Sequence, residues 1–418
     1  MPRKYAIVSI SAILVLVSLA CSLPLTVTLG ESTQPAEVVP TQPAAPEPTS
    51  TPEETSPTPT VGVNTRNLGA ILIDPVDQKG VNLIAPDGSF ITELILGTDL
   101  NLMSNALVPA SVFQLPPETT RVLFYTYQGY ALSQYWGPGD IRQQAVVPDM
   151  VALVGDGWCD AFSYGTVALS GDGAQNDLYI AKSQDLGNTP AVISELDPRG
   201  FGIFPVAAMC GEGQPGGVWY AHMPYGIGGD IVFPPYSGLY RFKAGDSSKT
   251  LVLDENQRFS GISPDQNLVA YSPREDKTIL YILDVKKNSQ VSIQTLPGSD
   301  RGAGYAVFSP DDTRVAWLEG SGFQMSETPN FQGIIRIAPS EANVQLEKQK
   351  TDAEFGAAVG LPKLWVKPVG WLDNTNLLVE GRGDSWDEAF LLKLNTDSGA
   401  ITLFAKGAFL DLVYSADN

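Results

Sequence analysis

The chain has 418 residues, with 26 Lys and Arg against 46 Asp and Glu, which gives a formal net charge of −20. Such an acidic chain repels phosphate backbones, which argues against a nucleic-acid partner. One His and three Cys are too few for a zinc cluster, a two-His metal site or an iron–sulfur centre, so we expect no metal and no cofactor. The 40 Gly and 32 Pro favour short strands and tight turns over long helices.

The N-terminus has the features of an export signal. Arg3 and Lys4 precede an uncharged apolar run, residues 5–20, and Cys21 follows directly. This arrangement resembles a bacterial lipoprotein signal, in which residues 1–21 would hold the signal and the lipidated Cys21. Two other interpretations stay open. The uncharged stretch continues to Gly30, long enough for an uncleaved membrane anchor, and the segment could also direct plain secretion. Each of the three exports the rest of the chain.

The other two cysteines form an even pair in an oxidising compartment, provided that Cys21 carries lipid. We therefore predict a disulfide between Cys159 and Cys210, which would close a loop of about 50 residues. The alternative is two separate buried thiols, because the spacing of two cysteines along a chain does not determine their geometry.

A stalk follows the signal, over residues 22–60. Residues 31–60 contain eight Pro, seven Thr and five Glu, with no aromatic and no basic residue. A segment of this composition cannot bury enough apolar surface to fold, so we predict that it is disordered. Its prolines favour an extended chain of about 3.1 Å per residue, so 30 residues span up to roughly 90 Å. The segment is thus either a spacer between membrane and body or a plain linker.

The body, residues 61–418, repeats. Short apolar runs that we place second in each unit begin 45 to 62 residues apart: 71–73, 122–124, 167–169, 218–220, 269–271, 315–317 and 377–379. A third run follows in each unit: 81–84, 130–132, 178–180, 239–242, 279–282, 334–337 and 390–392. A fourth, more polar run follows in some units, as at 291–293 and 401–403. Polarity that rises outward is typical of sheets arranged around an axis, because inner strands are buried on both faces.

Seven such units predict an all-β fold, a seven-bladed β-propeller in one domain, with six or eight blades as alternatives. The inner strands of the third and sixth units are predicted at 150–154 and 305–308. The first unit has no room for one, so we predict that residues 408–414 supply it and close the ring. Helix is nearly absent; the sequence allows one helical turn near residues 340–349.

Two segments carry a shared turn motif. Ser263-Pro264-Asp265 precedes the apolar run at 268–271, and Ser309-Pro310-Asp311 precedes the run at 314–317. Pro fixes φ at the entry to a hairpin, and Asp caps the turn through its side chain. The motif resembles the repeat of TolB-like propellers, relatives of WD repeats, over about residues 258–380. The resemblance implies the fold only. TolB-like proteins carry an α/β domain where this chain has its stalk, so their partner binding is not transferred.

One long insertion is the candidate binding site. His222, Tyr225, Asp230 and Tyr236 lie in it, and long loops on a rigid scaffold often carry binding residues. The tyrosines could stack on a sugar or peptide, and the carboxylate could accept hydrogen bonds from it. The alternative is a self-packed loop that covers a sheet edge.

The sequence predicts an extracytoplasmic, membrane-tethered propeller that binds or scaffolds a protein or glycan partner as a monomer. No Ser/His/Asp or Cys/His set exists beyond the single His222, so we predict no catalytic residues, although the sequence leaves enzymatic activity open. The second hypothesis is a carbohydrate-active enzyme, hydrolase or lyase, that uses Asp and Glu in the central funnel.

Overall fold

The computed structural model describes residues 67–74, 81–94, 109–115, 121–126, 130–135, 142–156, 159–211, 214–224, 236–276, 278–294, 301–321, 331–341, 348–385 and 388–415. The chain divides into Met1–Gly62 and Val63–Asn418, and every described residue belongs to the second unit. The signal, Cys21 and the stalk predicted over residues 22–60 lie outside the described residues. Within the described ranges, no helix has both the length and the apolar character that a membrane crossing requires.

Antiparallel strands form seven four-stranded sheets in the described part of the chain. The strands of sheets 1–3 are β1 (Asn67–Asp74), β2 (Val81–Ile84), β3 (Phe90–Leu94), β4 (Pro109–Leu115), β5 (Arg121–Thr126), β6 (Tyr130–Tyr135), β7 (Arg142–Val146), β8 (Met150–Asp156), β9 (Ala161–Ser170), β10 (Gly173–Ala181) and β11 (Ile193–Asp197). The strands of sheets 4 and 5 are β12 (Phe201–Cys210), β13 (Pro215–Pro224), β14 (Ser237–Lys243), β15 (Thr250–Leu253), β16 (Gln257–Ile262), β17 (Leu268–Pro273), β18 (Ile279–Asp284) and β19 (Ser289–Gln294). The remaining strands are β20 (Gly302–Phe308), β21 (Arg314–Ser321), β22 (Gln332–Pro339), β23 (Lys348–Thr351), β24 (Trp365–Trp371), β25 (Asn376–Arg382), β26 (Ala389–Asn395), β27 (Ile401–Lys406) and β28 (Ala408–Ser415).

Six of these sheets are simple meanders. In sheets 2–7, four strands that follow one another in the chain pair in order: β4–β7, β8–β11, β12–β15, β16–β19, β20–β23 and β24–β27. Sheet 1 combines both ends of the body, since β28 pairs with β1, followed by β2 and β3. The β1–β28 pairing is antiparallel and runs from Asn67 opposite Ser415 to Asp74 opposite Ala408. The C-terminal strand thus satisfies backbone groups that β1 would otherwise expose.

Neighbouring sheets pack on one another in chain order. The first strand of a sheet commonly mediates the contact: β28 with β4, β4 with β8, β8 with β12, β16 with β20 and β20 with β24. Sheets 4 and 5 meet through β14 and β16, and β26 of sheet 7 contacts β28 of sheet 1. Four-stranded antiparallel sheets repeated and packed in this way have the architecture of a β-propeller. The all-β, propeller-type fold class predicted from the sequence is therefore correct.

The core lies between the sheets and is richest at their second strands. Each of the seven runs predicted to be second in its unit falls in a second strand: β1, β5, β9, β13, β17, β21 and β25. These strands are packed on both faces, so Leu72, Trp219 and Leu378 have no exposed surface. Apolar side chains on fourth strands meet water, as Leu196 at 51% and Leu403 at 43% exposure. Exposure to water thus rises from the second strands to these fourth strands.

The Ser-Pro-Asp motifs form the turns between the first and second strands of sheets 5 and 6. Ser263 Oγ donates to Asp265 Oδ1 at 2.7 Å and accepts a hydrogen bond from the Leu268 amide at 2.9 Å. Ser309 Oγ and Asp311 Oδ1 repeat the same contact at 2.7 Å. The predicted side-chain capping of these turns is confirmed.

The predicted helical turn near residues 340–349 falls largely on residues 342–347, which lie outside the described residues. Lys348 and Gln349 belong to strand β23, and the α-helix α1 (Asp352–Ala357) begins after it. The helix begins there because Thr351 and Glu354 form a capping box. The Thr351 side chain accepts from the Glu354 amide at 3.3 Å, and Glu354 Oε2 accepts from the Thr351 amide at 2.8 Å. This Thr-x-x-Glu pattern is a local sequence signal for the start of a helix.

Candidate functional site

A cleft of about 540 Å³ opens between sheets 6 and 7, a size typical of small-ligand sites. Its lining comes from the start of β22, from α1 and the connector to β24, and from the segment between β25 and β26. In a meander, the connection from strand two to strand three and the connector to the next sheet lie at the same end of the sheet. We call this end the connector end. The lining residues are Phe331, Gln332, Asp352, Ala353, Leu361, Pro362, Lys363, Gly383, Asp384 and Glu388.

Phe331, which lines the cleft, belongs to a fixed aromatic pair. Phe331 stacks on Trp365, the first residue of β24, with ring centroids 4.8 Å apart and planes inclined by 14°. Only 2% of Phe331 is exposed, and its ring belongs to the core cluster shared by sheets 6 and 7. Because this ring is part of the core, it is in place before any ligand arrives, which reduces the entropy that binding would cost.

The floor of the cleft is held by the N-terminus of α1. Asp352 Oδ2 accepts a hydrogen bond from the Gly333 amide of β22 at 3.2 Å, and its Oδ1 accepts from the Ala353 amide at 2.7 Å. Across the cleft, Lys363 Nζ donates to the Phe331 carbonyl at 3.5 Å. These contacts tie the connector to β22, so the two segments that frame the cleft are fixed relative to each other.

One wall of the cleft is the acidic segment between β25 and β26. A Cβ atom on Gly383 would come within 2.1 Å of Glu388 Oε2, so glycine at this position lets the Glu388 carboxylate approach the backbone. The Gly383 amide donates to the Glu388 carbonyl at 2.8 Å, and residues 386–387 between them lie outside the described residues. Asp384 at its tip is exposed. The segment thus presents two carboxylates at the edge of the cleft.

An ionic cluster around the buried Glu380 lies on the first and second strands of sheet 7. Glu380 is 2% exposed and accepts from Arg382 Nε at 2.6 Å and from Lys367 Nζ at 3.3 Å. Tyr305 of β20 completes the cluster, with Lys367 Nζ 6.0 Å from its ring centroid. Burial, followed by the charge of Glu380, raises the pKa of the Tyr305 hydroxyl. Tyr305 has a left-handed backbone, φ 51°, at a register shift between β20 and β21, which is a strained conformation for tyrosine.

His222 lies in a polar contact between sheets 3 and 4. Its Nε2 is 2.7 Å from Glu195 Oε1 of β11, and Lys249 binds the other oxygen of the same carboxylate. These contacts, first of all the hydrogen bond with His222, lower the pKa of Glu195 to about 2. Tyr220 and Tyr240 stack beside His222 with centroids 5.2 Å apart. The arrangement holds two neighbouring sheets together.

Of the four residues of the predicted binding site, the structure describes His222 and Tyr236, and these two do not lie together. His222 faces sheet 3, whereas Tyr236 packs towards sheet 5, against Phe259, with ring centroids 5.8 Å apart. Desolvation raises the pKa of Tyr236 to about 12. Tyr225 and Asp230 lie outside the described residues. His222 and Tyr236 thus contact opposite neighbours of sheet 4.

Cys159 and Cys210 are disulfide-bonded, with their Cα atoms 5.8 Å apart. Cys210 is the last residue of β12, and Cys159 lies between β8 and β9, so the bond joins sheet 4 to sheet 3. Sheets 3 and 4 are therefore linked by a covalent bond as well as by the Glu195 contacts.

Sequence reasoning missed the cleft. Its residues come from four separate segments, and the capping box that contains Asp352 and Ala353 indicates the start of a helix and not a ligand site. One signal was present: the second runs of the sixth and seventh units, at 315 and 377, are 62 residues apart, the widest spacing in the chain. The extra length holds α1 and the connector that line the cleft.

No protein-family model matches the chain, and no curated protein is similar to it in sequence. Among solved structures, it is similar to prolyl oligopeptidase B from Galerina marginata, bound to a 25mer macrocyclization substrate, with 8% identity, a TM-score of 0.51, and coverage of 84% of this chain and 52% of that one. The chain spans about half the length of that protein, and the similarity shows a shared fold.

Two further solved structures are similar to a lesser degree. One is the Cps50 (Swd1) β-propeller domain from Myceliophteria thermophila, with 10% identity, a TM-score of 0.41, and coverage of 70% of this chain and 84% of that one. The other is a protein described as TolB from Agrobacterium tumefaciens, with 14% identity, a TM-score of 0.33, and coverage of 64% and 84%.

Proposed function

We propose that this protein is an extracytoplasmic binding module, a closed seven-bladed β-propeller over residues 61–418 that is tethered to a membrane by its N-terminus. Three observations support the ring: the seven four-stranded sheets, the contact of each sheet with the next, and the pairing of β28 with β1. A closed ring leaves no sheet face unpaired and gives a rigid base for loops at its two ends.

The tether and the compartment rest on the chain's N-terminus and its cysteines. Arg3, Lys4 and the apolar run before Cys21 support export, and the Cys159–Cys210 disulfide fits an oxidising compartment. Expression in a bacterial host with labelled palmitate tests the lipid anchor. We expect label in the wild-type membrane fraction and none in Cys21→Ser. Unlabelled wild-type protein in that fraction would favour an uncleaved anchor, and soluble exported protein would favour plain secretion.

The binding activity rests on one observation, the cleft at the connector end of sheets 6 and 7. It is the right size for a small ligand or a few side chains, and Phe331, which lines it, is fixed by the core. The test is capture of a partner from envelope extract by the full-length protein. Ala353→Trp fills the cleft without changing charge, and Ala358→Trp is the matched control, because Ala358 is exposed and does not line the cleft.

We expect the partner captured by wild-type protein and by Ala358→Trp to be lost with Ala353→Trp. Equal capture by all three proteins would refute a role for the cleft. The buried position of His222 supports a role in sheet packing, so a substitution there is expected to change stability before binding.

The second candidate function is cleavage of a glycan, by hydrolysis or by a lyase reaction. The cleft favours it in that Asp352, Asp384 and Glu388 all line it, since glycoside-cleaving enzymes use pairs of carboxylates. Incubation with envelope polysaccharides and measurement of new reducing or unsaturated ends tests this function. Product release that Glu388→Gln abolishes would establish it.

A further inference from the structure

An ionic cluster between sheets 5 and 6 buries more positive than negative charge. Glu319 of β21 has no exposed surface, and two guanidinium groups contact it. Arg336 Nη1 lies 2.5 Å from Glu319 Oε2, and Arg301 Nη1 lies 3.8 Å from Glu319 Oε1, too far for a hydrogen bond. The side chains of Arg336 and Arg301 are only 7% and 17% exposed. Neither arginine is paired with a second carboxylate among the described residues, so two buried cations share one negative charge.

Three buried N–H donors of this cluster lack an acceptor. Arg301 Nη1, Arg336 Nε and Trp317 Nε1 have no hydrogen-bond partner among the described residues. Trp317 belongs to the cluster through Arg336, whose guanidinium lies 5.3 Å from the centroid of the indole ring. A buried donor without an acceptor is costly, and a charged donor is more costly than a neutral one. Because all three unpartnered atoms are donors, the group that would complete the cluster is an acceptor.

A similar cluster in sheet 7 differs in its access to water. Glu380 is also buried and also contacts two cations, Lys367 and Arg382. Those two cations are 44% and 41% exposed, so water solvates the positive charge that Glu380 leaves unbalanced. An excess of positive charge around one carboxylate is therefore not unusual in this protein. The burial of Arg301 and Arg336 is what distinguishes the cluster between sheets 5 and 6.

Sheet 4 contains a similar Arg–Trp pair in which the indole N–H has an acceptor. Arg241 lies opposite Trp219 on neighbouring strands and 5.4 Å from its ring centroid, and Arg336 lies opposite Trp317 in the same way. Trp219 Nε1 donates to the side chain of Gln266 at 2.9 Å. The Nε atoms of both arginines are unpartnered, so the two sheets differ in the indole N–H. Beside Trp317, no described residue takes the place of Gln266.

We propose that the cluster of Arg301, Arg336, Trp317 and Glu319 binds an oxyanion, a carboxylate, phosphate or sulfate group. Such a group brings several acceptor oxygens and a negative charge, which matches both the unpartnered donors and the excess of buried positive charge. The two guanidinium groups bind the anion, and Glu319 opposes it by repulsion. Trp317 packs in the core shared by sheets 5 and 6, so this site is separate from the cleft between sheets 6 and 7 and does not depend on its function.

The test is equilibrium dialysis of full-length protein against three labelled anions, with chloride as the background anion at fixed ionic strength. Inorganic phosphate and sulfate represent free ions, and N-acetyl-aspartate α-amide represents the acidic side chain of a partner. We expect at least one of the three to saturate a single site with a dissociation constant below about 1 mM. If none of them binds saturably, the proposal is overturned, and buried water is the acceptor for these donors.

Variants with opposite effects on the local charge locate the site. Arg301→Gln removes the more exposed of the two cations, and we expect it to weaken binding about tenfold. Glu319→Gln removes the competing negative charge, and we expect it to strengthen binding about tenfold. Lys367→Gln is the matched control, since it removes a cation from the Glu380 cluster, and it leaves binding unchanged.

The comparison of Arg301→Gln with the control decides the outcome even if Glu319→Gln does not fold. Unchanged affinity in Arg301→Gln, or an equal loss of affinity in Lys367→Gln, overturns the proposal, because the bound anion would then lie elsewhere or respond only to the net charge of the protein.

Discussion

Asp312 is expected to make the stability of this protein fall as the pH rises. It occupies the fourth position of the Ser-Pro-Asp turn in sheet 6, where sheet 5 has Gln266, and both residues have left-handed backbones, φ 60° and 59°. Gln266 accepts from Trp219 Nε1 at 2.9 Å and donates to the Ala208 carbonyl at 2.7 Å. Asp312 instead faces the carboxylate of Asp265, and its Oδ1 is buried without a hydrogen-bond partner among the described residues.

Burial, followed by the charge of Asp265, raises the pKa of Asp312 from 3.8 to about 7. The folded protein therefore binds this proton more tightly than the unfolded chain does. The stability that results is present in full below about pH 4 and is lost as the pH rises through about 7. A shift of about three pKa units corresponds to about 4 kcal/mol at full weight, and because the side chain is partly exposed to water we expect about 2 kcal/mol.

Asp312→Asn keeps the size of the side chain and tolerates the left-handed backbone. We expect it to raise the free energy of unfolding by about 2 kcal/mol at about pH 8.5 and to leave it nearly unchanged at about pH 4.5. Urea denaturation followed by tryptophan fluorescence at several pH values measures this difference, with Asp246→Asn as the control for loss of an exposed charge. The same pH dependence in wild type and Asp312→Asn would refute the reasoning.

Three further predictions concern contacts between sheets. Replacing Cys159 and Cys210 with Ser opens a loop with a sequence separation of 51 and is expected to lower the free energy of unfolding by about 4 kcal/mol in urea, an effect that a reductant reproduces in the wild type. Gly261→Ala puts a Cβ 2.0 Å from a carbonyl oxygen of the neighbouring first strand, so its cost should exceed about 2 kcal/mol, whereas Gly171→Ala, with no atom within 4 Å, should be tolerated. Glu195, whose pKa is lowered to about 2, contributes stability that is lost as the pH falls from about 4.5 towards 2, and Glu195→Gln should flatten that acid limb of the stability curve.

The sequence predicted the strands well because their signal is local. A second strand is packed on both faces, so it must be an uninterrupted apolar run, and each of the seven predicted runs lies in such a strand. The role of the C-terminal segment could also be predicted, by counting: the first unit lacked one strand, and β28 pairs with β1. The start of helix α1 also has a local signal, since Thr351 and Glu354 form a capping box.

The surroundings of the predicted binding residues could not be predicted in the same way. His222 and Tyr236 are close in sequence, yet they contact different neighbours, because strand β13 and the start of β14 direct their side chains to opposite faces of sheet 4. The Glu195 contact with His222 crosses between two sheets and has no signature within either one.

The amino-acid order by itself determined the class of strands, their order in each sheet and the turns that join them, since these depend on neighbours a few residues apart. Only the tertiary structure decided which segments meet across sheets 6 and 7 to form the cleft. Phe331, Asp352, Gly383 and Glu388 are brought together by the packing of one whole sheet on the next. Contacts of that kind depend on the shape and twist of complete sheets, which no local pattern of residues encodes.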